Sequence, residues 1–105
     1  MFPATAEQPH PKFEERRASV RHDVHIAATL HAGGRSQPTV IDDLSTGGAG
    51  LNGAIGIFAN ERVEIQLANG RRLSGTVAWR LSGCCGIQFH EPLLEQDPLF
   101  ASVVQ

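Results

Sequence analysis

In 105 residues the chain has no tyrosine, one tryptophan, one methionine and one lysine, Lys12, and no apolar run long enough for a membrane-crossing helix. Each shortage removes a class of function. Five phenylalanines and one tryptophan are too few for the stacking platforms that hold single-stranded nucleic acid, and a net charge of −2 lacks the basic surface of a general DNA or RNA binder. The first eleven residues carry three prolines and no signal-peptide apolar stretch, so neither export nor membrane insertion is expected and the expected address is the cytoplasm. Cys84 and Cys85 are the only cysteines. Adjacent in sequence, they are badly placed to bridge each other and have no second pair for a zinc site, so they read as reduced thiols. The five histidines show no His-x-x-x-His spacing, and no metal or cofactor is expected. No serine sits in a nucleophile elbow and no glycine-rich loop opens a helix, so no enzyme is expected.

What is present is arginine: eight of the nine basic residues carry the planar fork that pairs bidentately with phosphate or a guanine edge. At 41% hydrophobic the chain can bury one small core, which makes a single domain over 15–105 with a flexible arm over 1–14. Val24, Ile26, Ala28 and Leu30 alternate with polar or small residues, which predicts a first strand, and Gly33-Gly34 offers a turn. Further strands are expected over about 36–44, 49–52, 61–68, 71–81 and 84–90, with Leu73, Val77 and Trp79 facing inward and Ile55, Ile57 and Phe58 folding back over the core. Asp97-Pro98 reads as an N-cap and first helical residue, with Leu99, Phe100, Val103 and Val104 on one face. Six short strands without βαβ alternation predict an all-β fold: a small six-stranded antiparallel β-barrel with a flexible N-terminal arm and a short C-terminal helix.

Asp43-Leu44-Ser45-Thr46-Gly47-Gly48 stands out within this pattern. In extended chain Asp43 and Ser45 share a face and Leu44 anchors the other. Gly47, Gly48 and Gly50 can take positive φ and leave room for close approach. A tight turn between strands accounts for the same residues. Some twenty residues upstream, Arg17 and Arg21 lie four apart where the arm enters the first strand. A ligand that wants two guanidinium groups and a carboxylate acceptor is polyanionic and also carries N–H donors; a guanine nucleotide has both.

Arg17-Ala18-Ser19-Val20-Arg21 has the form Arg-x-x-x-Arg, and the Asp43 stretch has the form Asp-x-Ser-x-x-Gly. With Gly48-Ala49-Gly50-Leu51, Val77-Ala78-Trp79-Arg80 and Gly86-Ile87-Gln88-Phe89 after them, they make residues 15–94 resemble the PilZ domain of bacteria. That resemblance implies a small antiparallel β-barrel that binds the second messenger cyclic di-GMP. It implies that Arg17 and Arg21 grip phosphates and guanine faces, that Asp43 and Ser45 read a guanine edge, and that Gly47 and Gly48 give the backbone room. Arg16, just ahead of the first motif, would favour a stacked pair of cyclic di-GMP molecules. His22 departs from the apolar or aromatic residue expected after the second arginine. The expected role is a stand-alone sensor that relays the nucleotide to an unidentified protein partner by ordering its arginine arm. The competing reading is an interaction adaptor of the same fold, with weak or no nucleotide binding.

Overall fold

A computed structural model describes residues 20–102. Six strands follow one another: β1 His22–Ala32, β2 Arg35–Leu44, β3 Gly48–Asn52, β4 Arg62–Leu67, β5 Arg72–Leu81 and β6 Cys84–Phe89. All pairings are antiparallel, in the order β1-β2-β3-β6-β5-β4, and β4 pairs back to β1 to close a barrel. Closure leaves no strand edge open. The alternation read from the sequence supplies the interior: Leu30, Ile41, Leu44, Leu51, Ile65, Val77 and Cys85 are fully buried, with Val24 and Val63 beside them. Each such aliphatic side chain contributes about 1.5–3 kcal/mol when withdrawn from water, so this cluster is what holds the barrel closed.

Glycines in the left-handed region make the tight connections. Gly33 and Gly34 turn β1 into β2, Gly70 turns β4 into β5, and Ser82 and Gly83 turn β5 into β6. The chain leaves β6 through buried Leu93 and reaches a short 3₁₀ helix, Pro98–Ser102, where the short C-terminal helix is expected. Asp97 caps it as the sequence suggests: its Oδ1 accepts the Leu99 N–H at 3.0 Å, and its carboxylate takes two bonds from Arg71 at 2.8 and 2.6 Å. That forked bond holds the Asp97 carboxyl below the ordinary carboxylate range, against the opposing push of burial. Leu99 and Phe100 pack half-buried on the core, while Val103 and Val104 lie outside the described residues, as do the arm 1–14 and the arm's junction with the domain.

Two expectations about the core are corrected. Of the three apolar residues in the β3–β4 connection only Ile57 is buried, with Ala54; Ile55 and Phe58 are exposed. The connection presents residues three apart to one side, so 54 and 57 enter the barrel end and 55 and 58 leave it. Trp79 is 40% exposed although it follows Leu73 and Val77 in strict alternation. A bulge shifts the β5–β6 register between Val77 and Trp79, and the extra residue turns Trp79 away from the core.

Candidate functional site

The Asp43 stretch is both a strand end and a turn. Leu44, fully buried, closes β2, and residues 45–47 carry the chain into β3. The Ser45 N–H donates to the Gly48 carbonyl at 2.9 Å, and Ser45 Oγ accepts the Gly47 N–H at 3.3 Å while donating to the Gly48 carbonyl at 3.4 Å. From the other side, Phe89 N–H donates to the Gly47 carbonyl at 2.9 Å and Leu93 N–H to the Thr46 carbonyl at 2.7 Å. The turn is therefore fastened to the exit of β6, and Ser45 is held at its base.

None of Gly47, Gly48 and Gly50 is among the glycines with positive φ, so the reading of this stretch as a left-handed bend is corrected. What Gly48 and Gly50 supply is absence of bulk. A side chain at Gly48 would run into the Ile87 carbonyl of β6, so its bareness serves the approach of two strands. Gly50 serves the site. A Cβ there would stand 2.6 Å from Asp43 Oδ2, because the Asp43 carboxylate lies across it.

Asp43 itself points outward because the β2–β3 register shifts between Ile41 and Asp43. Its guanidinium partner is Arg21, whose Nη2 donates to Asp43 Oδ1 at 2.9 Å across 22 residues of sequence. With 42% and 32% of the two side chains exposed, the pair is a surface ion pair worth about 0–1 kcal/mol. It positions two groups without locking them together.

The strand register extends this point into a band. Asp23 pairs with Asp43, Asp43 with Gly50, Gly50 with Gly86, and Gly86 with Trp79, across β1, β2, β3, β6 and β5. Ala49 and Leu51 face the core around Gly50, and Cys85 and Ile87 do so around Gly86, so both glycines look outward. The Trp79 indole lies over Gly86 much as the Asp43 carboxylate lies over Gly50: a Cβ at Gly86 would meet the ring, with Cε2 only 2.6 Å away. The two glycines, buried beneath these groups, thus let a carboxylate that accepts N–H donors and a half-exposed indole that can stack on a planar ring lie close against adjacent strands. Trp79 and the facing roles of Gly50 and Gly86 were not assigned from the sequence. Asp43 lies 36 positions from Trp79, and a bulge leaves no mark in composition.

Of the residues expected to form the site, Arg21, Asp43, Ser45, Gly47 and Gly48 are brought together at one end of the barrel; Arg16 and Arg17 lie outside the described residues. His22, which departed from expectation, packs edge-on against Phe100 with ring centroids 5.2 Å apart and planes at 61°. The imidazole thereby does the packing work of an aromatic residue and seats the root of the arm on the C-terminal turn. Among the described residues no group of three or more His, Cys, Asp and Glu side chains could hold a metal ion.

A comparison with protein-family models matches residues 15–103 to the model described as PilZ domain. The match takes in both arginine positions of the arm, the Asp43 stretch, all six strands and the C-terminal turn. No curated protein matches the chain.

Proposed function

The chain belongs to the PilZ domain family, and from that premise we propose that it binds cyclic di-GMP at the Arg21–Asp43 end of the barrel and relays the bound state to a partner through its arginine arm. PilZ domains are ligand-binding modules, and a binding role without catalysis is part of the proposal. The observation that carries it is the 2.9 Å pairing of Arg21 with Asp43 beside the bare Gly50, because it joins the two halves of the site.

Arg21 holds the carboxylate in place. The nucleotide offers better partners to both. Guanine N1–H and N2–H₂ donate to Asp43, and Arg21 is released to a phosphate or to guanine O6 and N7. Exchanging a surface pair worth about 0–1 kcal/mol for charge-assisted bonds worth about 1.5–3 kcal/mol each is favourable. Ser45, fixed at the base of the turn, reads the same edge, Gly47 and Gly48 leave the backbone close to the ligand, and Trp79 stacks on a base. Arg16 and Arg17 bring further cations from the arm, and Arg16 favours a stacked pair of nucleotides. Drawing the arm onto the barrel changes the surface a partner meets.

Calorimetric titration with cyclic di-GMP tests the reading. Arg21→Ala and Asp43→Ala are each expected to weaken binding by about 2–3 kcal/mol, and added salt to weaken it further. No heat at high micromolar nucleotide, with the arm equally open to protease at every concentration, would refute the sensor and leave the adaptor. Asp43→Ala binding as tightly as the parent chain would remove the guanine-edge role alone.

A further inference from the structure

Six large apolar side chains are exposed among the described residues, and three of them gather toward the barrel end away from the 45–47 turn. Ile55 and Phe58 stand on the β3–β4 connection and Leu81 ends β5; they are 71%, 66% and 70% exposed. The backbone that displays them is firmly bonded. Gly53 N–H donates to the Gly83 carbonyl at 2.9 Å, Gln37 exchanges two bonds with the Ile55 backbone at 2.6 and 2.9 Å, and Arg35 donates to the Gly56 carbonyl at 3.0 Å. Ala54 and Ile57, buried beneath, plug the barrel. The tips are thus held outward by a braced loop.

Acids are concentrated along the same axis. Asp23, Asp43, Glu91, Glu95 and Asp97 lie toward the opposite end, where β1 starts, β2 finishes and β6 exits, and there outnumber Arg21 and Arg71, which pair with two of them. Around the apolar tips stand Arg35, Arg62 and Arg80, with Arg80 6.0 Å over the Phe58 ring; of the acids here, Glu61 accepts the Phe58 N–H at 3.0 Å, and Glu64, in the cavity it shares with Arg35 and Arg62, is paired with Arg72 at 2.8 Å. A chain of net charge −2 therefore presents a cationic, apolar end.

We propose that this end docks on an anionic lipid surface, with Ile55, Phe58 and Leu81 entering the boundary between headgroups and acyl chains and the three arginines meeting lipid phosphates. Separate protruding tips suit a soft interface, which takes them without a matching groove, and arginine stems can lie along the apolar layer while their heads stay at phosphate level. Docking is peripheral: no helix among the described residues is long and apolar enough to cross a membrane. It also turns the Arg21–Asp43 end away from the bilayer and leaves it open, so the proposal goes beyond nucleotide binding and does not depend on it.

The test uses the full chain without nucleotide, sedimented with vesicles rich in phosphatidylglycerol or made of phosphatidylcholine alone. Binding is expected to the anionic vesicles only, falling with salt. Phe58→Asp and Leu81→Asp, both at exposed positions and checked by an unchanged thermal midpoint, should each lower partitioning about tenfold or more. No partitioning at millimolar lipid and low salt would overturn the proposal. So would binding that survives both substitutions but is lost with Arg16→Ala and Arg17→Ala, which would place the contact on the arm. Shielding of Phe58 and Leu81 by a soluble protein, with vesicles inert, would overturn it in favour of a protein face.

Discussion

Replacing Gly50 by alanine separates what a glycine does for the fold from what it does for the site. The new methyl group would stand 2.6 Å from Asp43 Oδ2 and 3.0 Å from its Cγ, closer than real contacts allow, and the atoms it meets belong to a short side chain that can rotate away. The carboxylate swings off its place over β3 and the 2.9 Å bond from Arg21 is lost. For stability the terms are small and opposed. Losing a surface pair costs about 0–1 kcal/mol, and alanine recovers about 0.4–1 kcal/mol by restricting the unfolded chain. The thermal midpoint should stay within a few degrees of the parent. For binding there is no such offset: on the proposed reading a displaced Asp43 would forfeit bonds to guanine worth about 1.5–3 kcal/mol, or roughly 10- to 150-fold in affinity for cyclic di-GMP. Gly48→Ala is the control. There the methyl group meets the Ile87 backbone carbonyl, which cannot step aside, so β3 and β6 must part and the midpoint should fall clearly. Thermal melts and titrations of both variants decide the matter. Unchanged affinity in Gly50→Ala, or a loss of stability as large as that of Gly48→Ala, would refute the reasoning.

Asp97 sets an acid limit on the C-terminal turn. Its carboxyl is held below the ordinary value by Arg71, so the stabilisation is fully present above about pH 4 and is lost as pH falls through the lowered value. Acid titration followed by the packing of Phe100 should show this loss, and Asp97→Asn should abolish the pH dependence while weakening the turn at neutral pH by about 1–3 kcal/mol. The two thiols should differ in reactivity: burial pushes Cys85 up to about 11, and it is fully enclosed, whereas Cys84 is partly open. Alkylation followed by mass spectrometry should add one label to the native chain and two in denaturant, and two rapid labels under native conditions would contradict the buried placement. Gly86→Ala should evict the Trp79 indole, seen as a red shift in its emission.

Period-two alternation was enough to place all six strands and most of the interior, because closure of a small barrel asks of each strand only one apolar face. Gly33-Gly34 carried its turn openly, and Asp97 before Pro98 carried its cap. The departures share a cause. Trp79 was read inward by counting twos from Val77, and one bulge reversed it; the glycines of the Asp43 stretch were read as bends, while Gly48 and Gly50 are bare for the sake of neighbours on other strands. Such facts belong to register, and register is a relation between distant segments that local pattern does not encode.

The bulges bind the site to the architecture. In β2 the extra residue lies between buried Ile41 and Asp43, and in β5 between buried Val77 and Trp79. Without them, each strand would carry its next alternate side chain into the core, and the band would lose both its carboxylate and its indole. With them, the strands that bury Ile41 and Val77 also lay Asp43 over Gly50 and Trp79 over Gly86, so the rigidity of the core carries over to the carboxylate and the indole. The one adjustable element is Arg21, held by an exposed pair weak enough to exchange. On the proposed reading, a barrel that fixes its acceptor and leaves its cation free would let ligand binding move the arm and not the sheet.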